Sequence, residues 1–270
     1  MRLLLRGGEW REVTPADGGW SYLSFRVLRV GGRMSLDTAD EEVVIVPLAG
    51  DAVVRADGVD AEVGGRADVF ASRPRSLYLP RDTRAEIEGS AELALCGARA
   101  ERRREVRPIP PEEVEIEVRG SGNATRQISH IVKPEFPAER ILVVEVYTPA
   151  GNWSSYPPHK HDEERGEQEA VLEETYYFRT RPEHAGAFAV QRLYSPRHGL
   201  DLTETVRDGD LLLVPYGYHT TAAAHGYDLY YLNALAGDRR TMQAADDPDL
   251  AWIRPAWGAL EPDPRVPVVT

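Results

Sequence analysis

The chain carries a single cysteine, Cys96, so no internal disulfide can form. It sits in the apolar run Leu93-Ala94-Leu95-Cys96-Gly97, with no neighbour that would lower its pKa. That pattern reads as a buried thiol, not a nucleophile. No stretch approaches the ~20 consecutive apolar residues a membrane helix needs. The apolar part of Met1–Trp10 is too short for a secretion signal, and charges follow at once, so the expectation is a cytoplasmic protein. Positive charge is in deficit. A net charge of −12 and a pI of about 5.1 repel phosphate backbones and argue against nucleic-acid binding. Phosphate-binding glycine loops are missing too: there is no P-loop, and Gly120-Ser121-Gly122 lacks the later glycine of a dinucleotide fingerprint. Histidine is absent from the first 129 residues, and all seven lie after Ser129.

What is present is strand signal throughout. Glu42–Leu48, Ala52–Ala56, Asp60–Val63, Asp68–Phe70, Ser76–Leu79 and Ala91–Leu95 are short β-favouring runs separated by turn residues, with Asp57-Gly58 a hairpin signal. Arg102-Arg103-Arg104 and Pro108, Pro110 and Pro111 mark a polar, proline-stiffened connector within Glu101–Glu117. A second set follows: Arg140–Thr148, Glu174–Arg179, Phe188–Tyr194, Asp210–Val214 and Leu229–Asn233. The chain therefore reads as all-β, two tandem barrels of one architecture with few short helices. Residues 1–105 are expected to form a barrel without metal ligands, and residues 106–270 a metal-binding one. Asp247-Pro248 predicts the start of a short terminal helix, by an N-cap followed by an N1 proline.

Chemistry concentrates in the second half. His159 and His161 are spaced i, i+2 directly after Pro157-Pro158, which holds the approach extended. On an extended segment both imidazoles point to one side, and Lys160 to the other. Among the nearby acids, Asp162–Glu169 is unpatterned and reads as a solvated loop. Glu173 and Glu174 begin an aromatic strand, where alternation puts Glu174, Tyr176 and Phe178 on one face. An inward carboxylate is costly unless paired or metal-bound, and Glu174 is the favoured one. For a last ligand, His219 follows an apolar strand and the Pro215-Tyr216-Gly217 turn, and is preferred to His225, which precedes Gly226. His130, His184 and His198 read as structural. Three imidazoles and one carboxylate suit one divalent ion, with Zn or Mn expected first and Fe or Ni also compatible. This is the pattern of a metal-binding cupin, or jelly-roll, barrel.

Asn152-Trp153-Ser154-Ser155-Tyr156-Pro157-Pro158-His159-Lys160-His161-Asp162, with Leu172–Tyr177, Gln191-Arg192, Val214–His219 and His225–Asn233, resembles the 5-deoxy-glucuronate isomerases of myo-inositol catabolism. Those are two-cupin proteins similar to the uronate isomerases of pectin breakdown. The resemblance is densest from about Gly120 to Trp257. It implies metal ligation by His159, His161, Glu174 and His219, and interconversion of 5-deoxy-glucuronate with 2-deoxy-5-keto-gluconate. Two features depart from the general cupin pattern: a long loop between His161 and Glu174, and a single residue between Gly217 and His219.

Such a reaction moves a proton, with the metal as Lewis acid, and calls for a base and a carboxylate anchor. Glu145, alone among the apolar residues Ile141–Val146, is a candidate base, since burial raises a carboxyl pKa; it could equally partner a barrel arginine. Arg192, on a strand face with Phe188, Val190 and Tyr194, and Arg126 are candidates for the substrate carboxylate. Tyr176 and Tyr216 could bond hydroxyls or simply pack. The expected partner is a small sugar acid, with a homo-oligomer compatible. The competing readings are an Fe(II) cupin dioxygenase and a non-catalytic sugar-acid-binding cupin.

Overall fold

The computed structural model describes residues 2–270. The first part of the chain supplies β1 (Leu4–Leu5), β2 (Glu12–Val13), β3 (Leu23–Asp37), β4 (Glu41–Ala56), β5 (Val59–Arg66), β6 (Ser76–Leu79), β7 (Arg84–Arg99) and β8 (Arg107–Ile109). The second supplies β9 (Glu115–Arg119), β10 (Arg126–Val132), β11 (Ile141–Thr148), β12 (Trp153–Lys160), β13 (Glu173–Arg181) and β14 (Ala189–Ser195). It continues with β15 (Leu200–Val206), β16 (Leu211–Val214), β17 (Tyr218–Ala223), β18 (Asp228–Ala236) and β19 (Ala245–Asp246). The α-helices are one-turn pieces, α1 (Pro15–Gly18) and α2 (Ile253–Ala256). Among the described residues no helix is long and apolar enough to cross a membrane.

The strands form three antiparallel sheets. One runs β2-β3-β7-β4-β6-β8, with β5 added to β4; a second runs β1-β16-β13-β18-β11-β10-β9; the third runs β15-β14-β17-β12-β19. The two-residue hairpin at Asp57-Gly58, both at positive φ, closes β4 onto β5 with Ala56 opposite Val59, as the Asp-Gly signal predicts.

The first half of β4 and all of β11 are buried on both faces because each face meets a different core. In β4, Val44 and Val46 pack between the two halves, while Val43 and Ile45 fill the N-terminal barrel. In β11, Ile141, Val143 and Tyr147 pack between the halves, while Val144 and Val146 face into the C-terminal barrel. The joint is continuous core, with Phe25, Tyr78 and Cys96 from one side meeting Tyr147, Tyr177 and Tyr230 from the other. Cys96 is fully buried there, and burial pushes its thiol pKa well up. The N-terminal barrel is plugged by Leu77, Leu79, Ile87, Leu93 and Leu95, all essentially inaccessible.

Four sequence expectations need correction. The boundary at 105/106 moves, because β8 pairs with β6 (Ser76 opposite Ile109), so the first barrel runs on to Ile109 and the second begins at Glu115. The N-terminus also crosses over: β1 pairs with β16, Leu4 opposite Leu212, and so completes the C-terminal barrel. Asp68–Phe70 is a turn, not a strand, since the Asp68 carboxylate accepts the Phe70 N–H at 2.7 Å. The terminal helix starts only at Ile253, because Asp247 caps a turn by accepting the Asp249 N–H at 2.9 Å.

Candidate metal centre and cavity

The C-terminal barrel holds a cavity of about 120 Å³. Its sheet-side wall carries Val144 and Val146 of β11, Glu174 and Tyr176 of β13, and Tyr231 and Asn233 of β18. His159 and His161 close the opposite side. Proline decides how β12 enters. Pro157 and Pro158 have no N–H for the ladder, and the pairing with β17 jumps from Ser154–Thr221 to His159–His219. That bulge sets His159 directly opposite His219, with ring centroids 4.7 Å apart.

Ligand atoms of His161, Glu174 and His219 all lie within 4.8 Å of one another, and all three residues are buried. His161 Nε2 is 2.9 Å and His219 Nε2 3.2 Å from Glu174 Oε2. The other nitrogens are already used: His161 Nδ1 lies 2.8 Å from the Leu172 carbonyl and His219 Nδ1 3.1 Å from that of Gly217. A carbonyl only accepts, so each Nδ1 carries the proton and each Nε2 presents a lone pair to a carboxylate oxygen. His219 Nε2 is buried without a hydrogen-bond partner. Converging lone pairs of this kind call for a cation, and two imidazoles with one carboxylate fit a divalent metal; His159, the fourth expected ligand, packs beside His219 but lies outside this cluster.

Charge is tuned to match. Burial raises the Glu174 carboxyl pKa, but the imidazoles of His161 and His219 packed against it outweigh burial and hold the pKa at about 2. Burial lowers that of His161, and Glu174 more than restores it. His159 is pushed well down by burial and by the neighbouring His219 and His161, so it stays neutral with a lone pair to give.

A buried ionic knot supports the ligands. Lys160 does face away from the cavity side, and its Nζ meets Asp162 Oδ1 at 2.6 Å and Glu169 Oε1 at 2.7 Å. Asp162 Oδ2 accepts the Gly217 N–H at 2.8 Å, tying the His161 segment to the turn that orients His219. Glu169 is fully buried and also accepts the N–H groups of Asp162 and Glu163. The stretch 162–169 is a loop whose middle, residues 164–168, is exposed as its composition suggests, while Asp162 and Glu169 anchor its ends. Glu169 carried no pattern to reveal this.

The remaining candidates divide. Tyr176 and Arg126 line the cavity. Glu145 does not: it lies on the other face of β11, fully buried against Arg66, and accepts the hydroxyls of Tyr147 and Tyr230 at 3.1 and 2.9 Å. Arg192 points outward, stacked 4.3 Å above the Tyr194 ring and 3.4 Å from Asp201. Tyr216 stacks on His198 at 4.1 Å, away from the lining, and His225 is exposed. Arg119, Arg254, Asn233 and Gln243 also line the cavity. Asn233 lay within the resembling string, whereas nothing local marked the arginines.

The model of the KduI/IolB family matches residues 4–253. The chain is 44% identical over 248 residues to a protein of Geobacillus thermodenitrificans named 5-deoxy-glucuronate isomerase, covering 90% of each. It is 36% identical over 249 residues to the protein of that name from Bacillus subtilis strain 168, covering 90% of this chain and 91% of that one. The crystal structure of an IolB-like protein of Salmonella typhimurium LT2 superposes with a TM-score of 0.89 at 37% identity, covering 94% of this chain and all of that one. An oxalate decarboxylase of Lactobacillus farciminis shares the fold alone, with a TM-score of 0.64 at 14% identity over 91% of this chain and 88% of that one.

Proposed function

The chain belongs to the KduI/IolB family, and on that premise we propose that it is a metal-dependent isomerase. Its reaction converts the aldose acid 5-deoxy-glucuronate to the ketose 2-deoxy-5-keto-gluconate, a step of myo-inositol catabolism in the cytoplasm. The observation that carries this reading is the buried convergence of His161, Glu174 and His219 within 4.8 Å, in a chain that matches curated isomerases over nine-tenths of both lengths. His159, His161, Glu174 and His219 would hold the ion. When bound, a divalent metal supplies Lewis acidity that polarises a carbonyl without any redox change. Zn and Mn suit this donor set first, with Fe and Ni compatible.

The protein's own groups do the rest. In an aldose–ketose conversion one proton leaves the carbon beside the aldehyde and one arrives at the carbonyl carbon. The Leu172 and Gly217 carbonyls fix the tautomers of His161 and His219, so the ligands need no reorganisation during the reaction. Tyr176 and Arg126 serve the substrate's hydroxyls and carboxylate. Tyr231, its hydroxyl 2.5 Å from that of Ser154, and the aliphatic side chains of Val144 and Val146 keep the wall dry. The test is proton NMR of 5-deoxy-glucuronate in D₂O with purified protein. Ketose should form, cease with a chelator and resume with Mn or Zn. Absence of conversion with Zn, Mn, Fe and Ni in turn overturns the reading.

A further inference from the structure

Charge pairing in the cavity wall is uneven. Arg119 presents Nε and Nη2 to the Glu117 carboxylate at 2.7 and 2.8 Å. Arg254 holds Asp246 in the same two-pronged way, with Nη2 at 2.6 Å. Arg126 is different. Only 4% of it is exposed, yet it donates a single bond, from Nη1 to the Ala124 carbonyl at 3.3 Å. Among the described residues no carboxylate lies within ion-pair distance of it. A guanidinium has five N–H donors, and burying it without a counter-charge is costly. Desolvation lowers its pKa to about 10, which leaves it protonated at neutral pH. Gly120 makes room behind it, at φ +83°, where a Cβ would come within 3.0 Å of Nη1.

Sheet order places this group away from the metal centre. Glu174 is on β13 and Arg126 on β10, separated by β18 and β11. Three strand spacings put the two backbones about 14 Å apart. Both side chains line the same cavity, and Val146 of β11 and Tyr231 of β18 line it on the strands between them.

We infer that Arg126 is an anion subsite for a single negative charge, which takes the terminal carboxylate of a sugar acid and selects against a terminal phosphate. Arg119 and Arg254, neutralised by their own carboxylates, are walls of this subsite and not part of its charge. A carboxylate brings one charge and a planar pair of acceptors that match the guanidinium fork. A phosphate monoester brings close to two, and the second would stay buried and uncompensated. The inference deepens the isomerase reading and rests on it for the substrate's other end.

The experiment uses three ligands that cannot isomerise, titrated calorimetrically into the metal-loaded protein: gluconate, glucitol and glucitol 6-phosphate. Gluconate should bind at least tenfold more tightly than either of the others. Arg126→Met should abolish that preference, and Arg119→Met should retain it. In the ligand-free protein Arg126→Met should also raise Tm, by about 2–4 °C or more, since it removes an unpaired buried charge. Three results would overturn the inference: glucitol 6-phosphate binding as tightly as gluconate, an unchanged gluconate preference in Arg126→Met, or a lower Tm in that variant. The ligands do not react, so a failure to convert 5-deoxy-glucuronate would sink the isomerase reading while leaving a demonstrated carboxylate preference intact.

Discussion

Arg66 and Glu145 meet 2.5 Å apart across the joint between the two barrels, both side chains with no solvent exposure. Arg66 Nε also donates to the Pro47 carbonyl at 2.8 Å, and Glu145 accepts the hydroxyls of Tyr147 and Tyr230, so the pair is fully networked. Removing one partner strands the other. Glu145→Ala should cost about 3–5 kcal/mol in chemical denaturation. Arg66→Met combined with Glu145→Leu should recover much of that loss, while kcat per folded molecule stays near wild type. A Glu145→Gln protein that is well folded but inactive would return Glu145 to the catalytic machinery.

Asp162 should govern metal retention without touching the ion. Its carboxylate accepts the Gly217 N–H, and the Gly217 carbonyl orients His219. Asp162→Ala should weaken metal affinity by about 10–100-fold, as measured by competition with a chelator, and Asp162→Asn should recover part of it. His161→Ala and His219→Ala should lose metal and activity together with circular dichroism preserved. Full metal content in either histidine variant would reassign the centre.

Acid should weaken the wall around Arg119. Hydrogen bonding from His130, and then from Arg119, holds the Glu117 carboxyl at about 2, against an ordinary value of 4.5. A carboxyl whose pKa is depressed on folding stabilises the folded state above its unfolded pKa and loses that contribution as pH falls toward the folded value. The contribution, discounted for partial exposure, is about 1–2 kcal/mol, present above pH 4.5 and fading between about 4.5 and 2. The Tm gap between wild type and Glu117→Gln should close across that window. A gap independent of pH would refute the assignment.

The N-terminal strand should stabilise the C-terminal barrel. Leu4 is buried in that barrel's core, and Asp210 accepts the Gly7 N–H at 2.8 Å. Leu4→Ala should cost about 2 kcal/mol, at the low end for a core leucine because the site lies at the sheet edge. Hydrogen exchange should rise in β16 and β13 ahead of the N-terminal barrel.

The amino-acid order alone determined the strand content, the doubled architecture and the histidine-bearing half. Those depend on local alternation, turn chemistry and composition. It also offered His159, His161, Glu174 and His219 as candidates, because proline approach, i, i+2 spacing and the onset of an aromatic strand are local patterns; the structure gathers the last three within 4.8 Å. It did not determine which face of a strand is which. β11 is apolar on both sides because each side meets a core, so parity grouped Glu145 with Val143 and Tyr147 without revealing that this face meets the other barrel. Arg192 points to solvent for the same kind of reason: only the packed sheet shows which face of β14 is covered. Arg126, Arg119 and Arg254 come from strands and a helix apart in sequence, and only the packed sheets gather them around one cavity. Which of the three lacks a counter-charge is decided there as well, because ion pairing depends on distance in space and not along the chain.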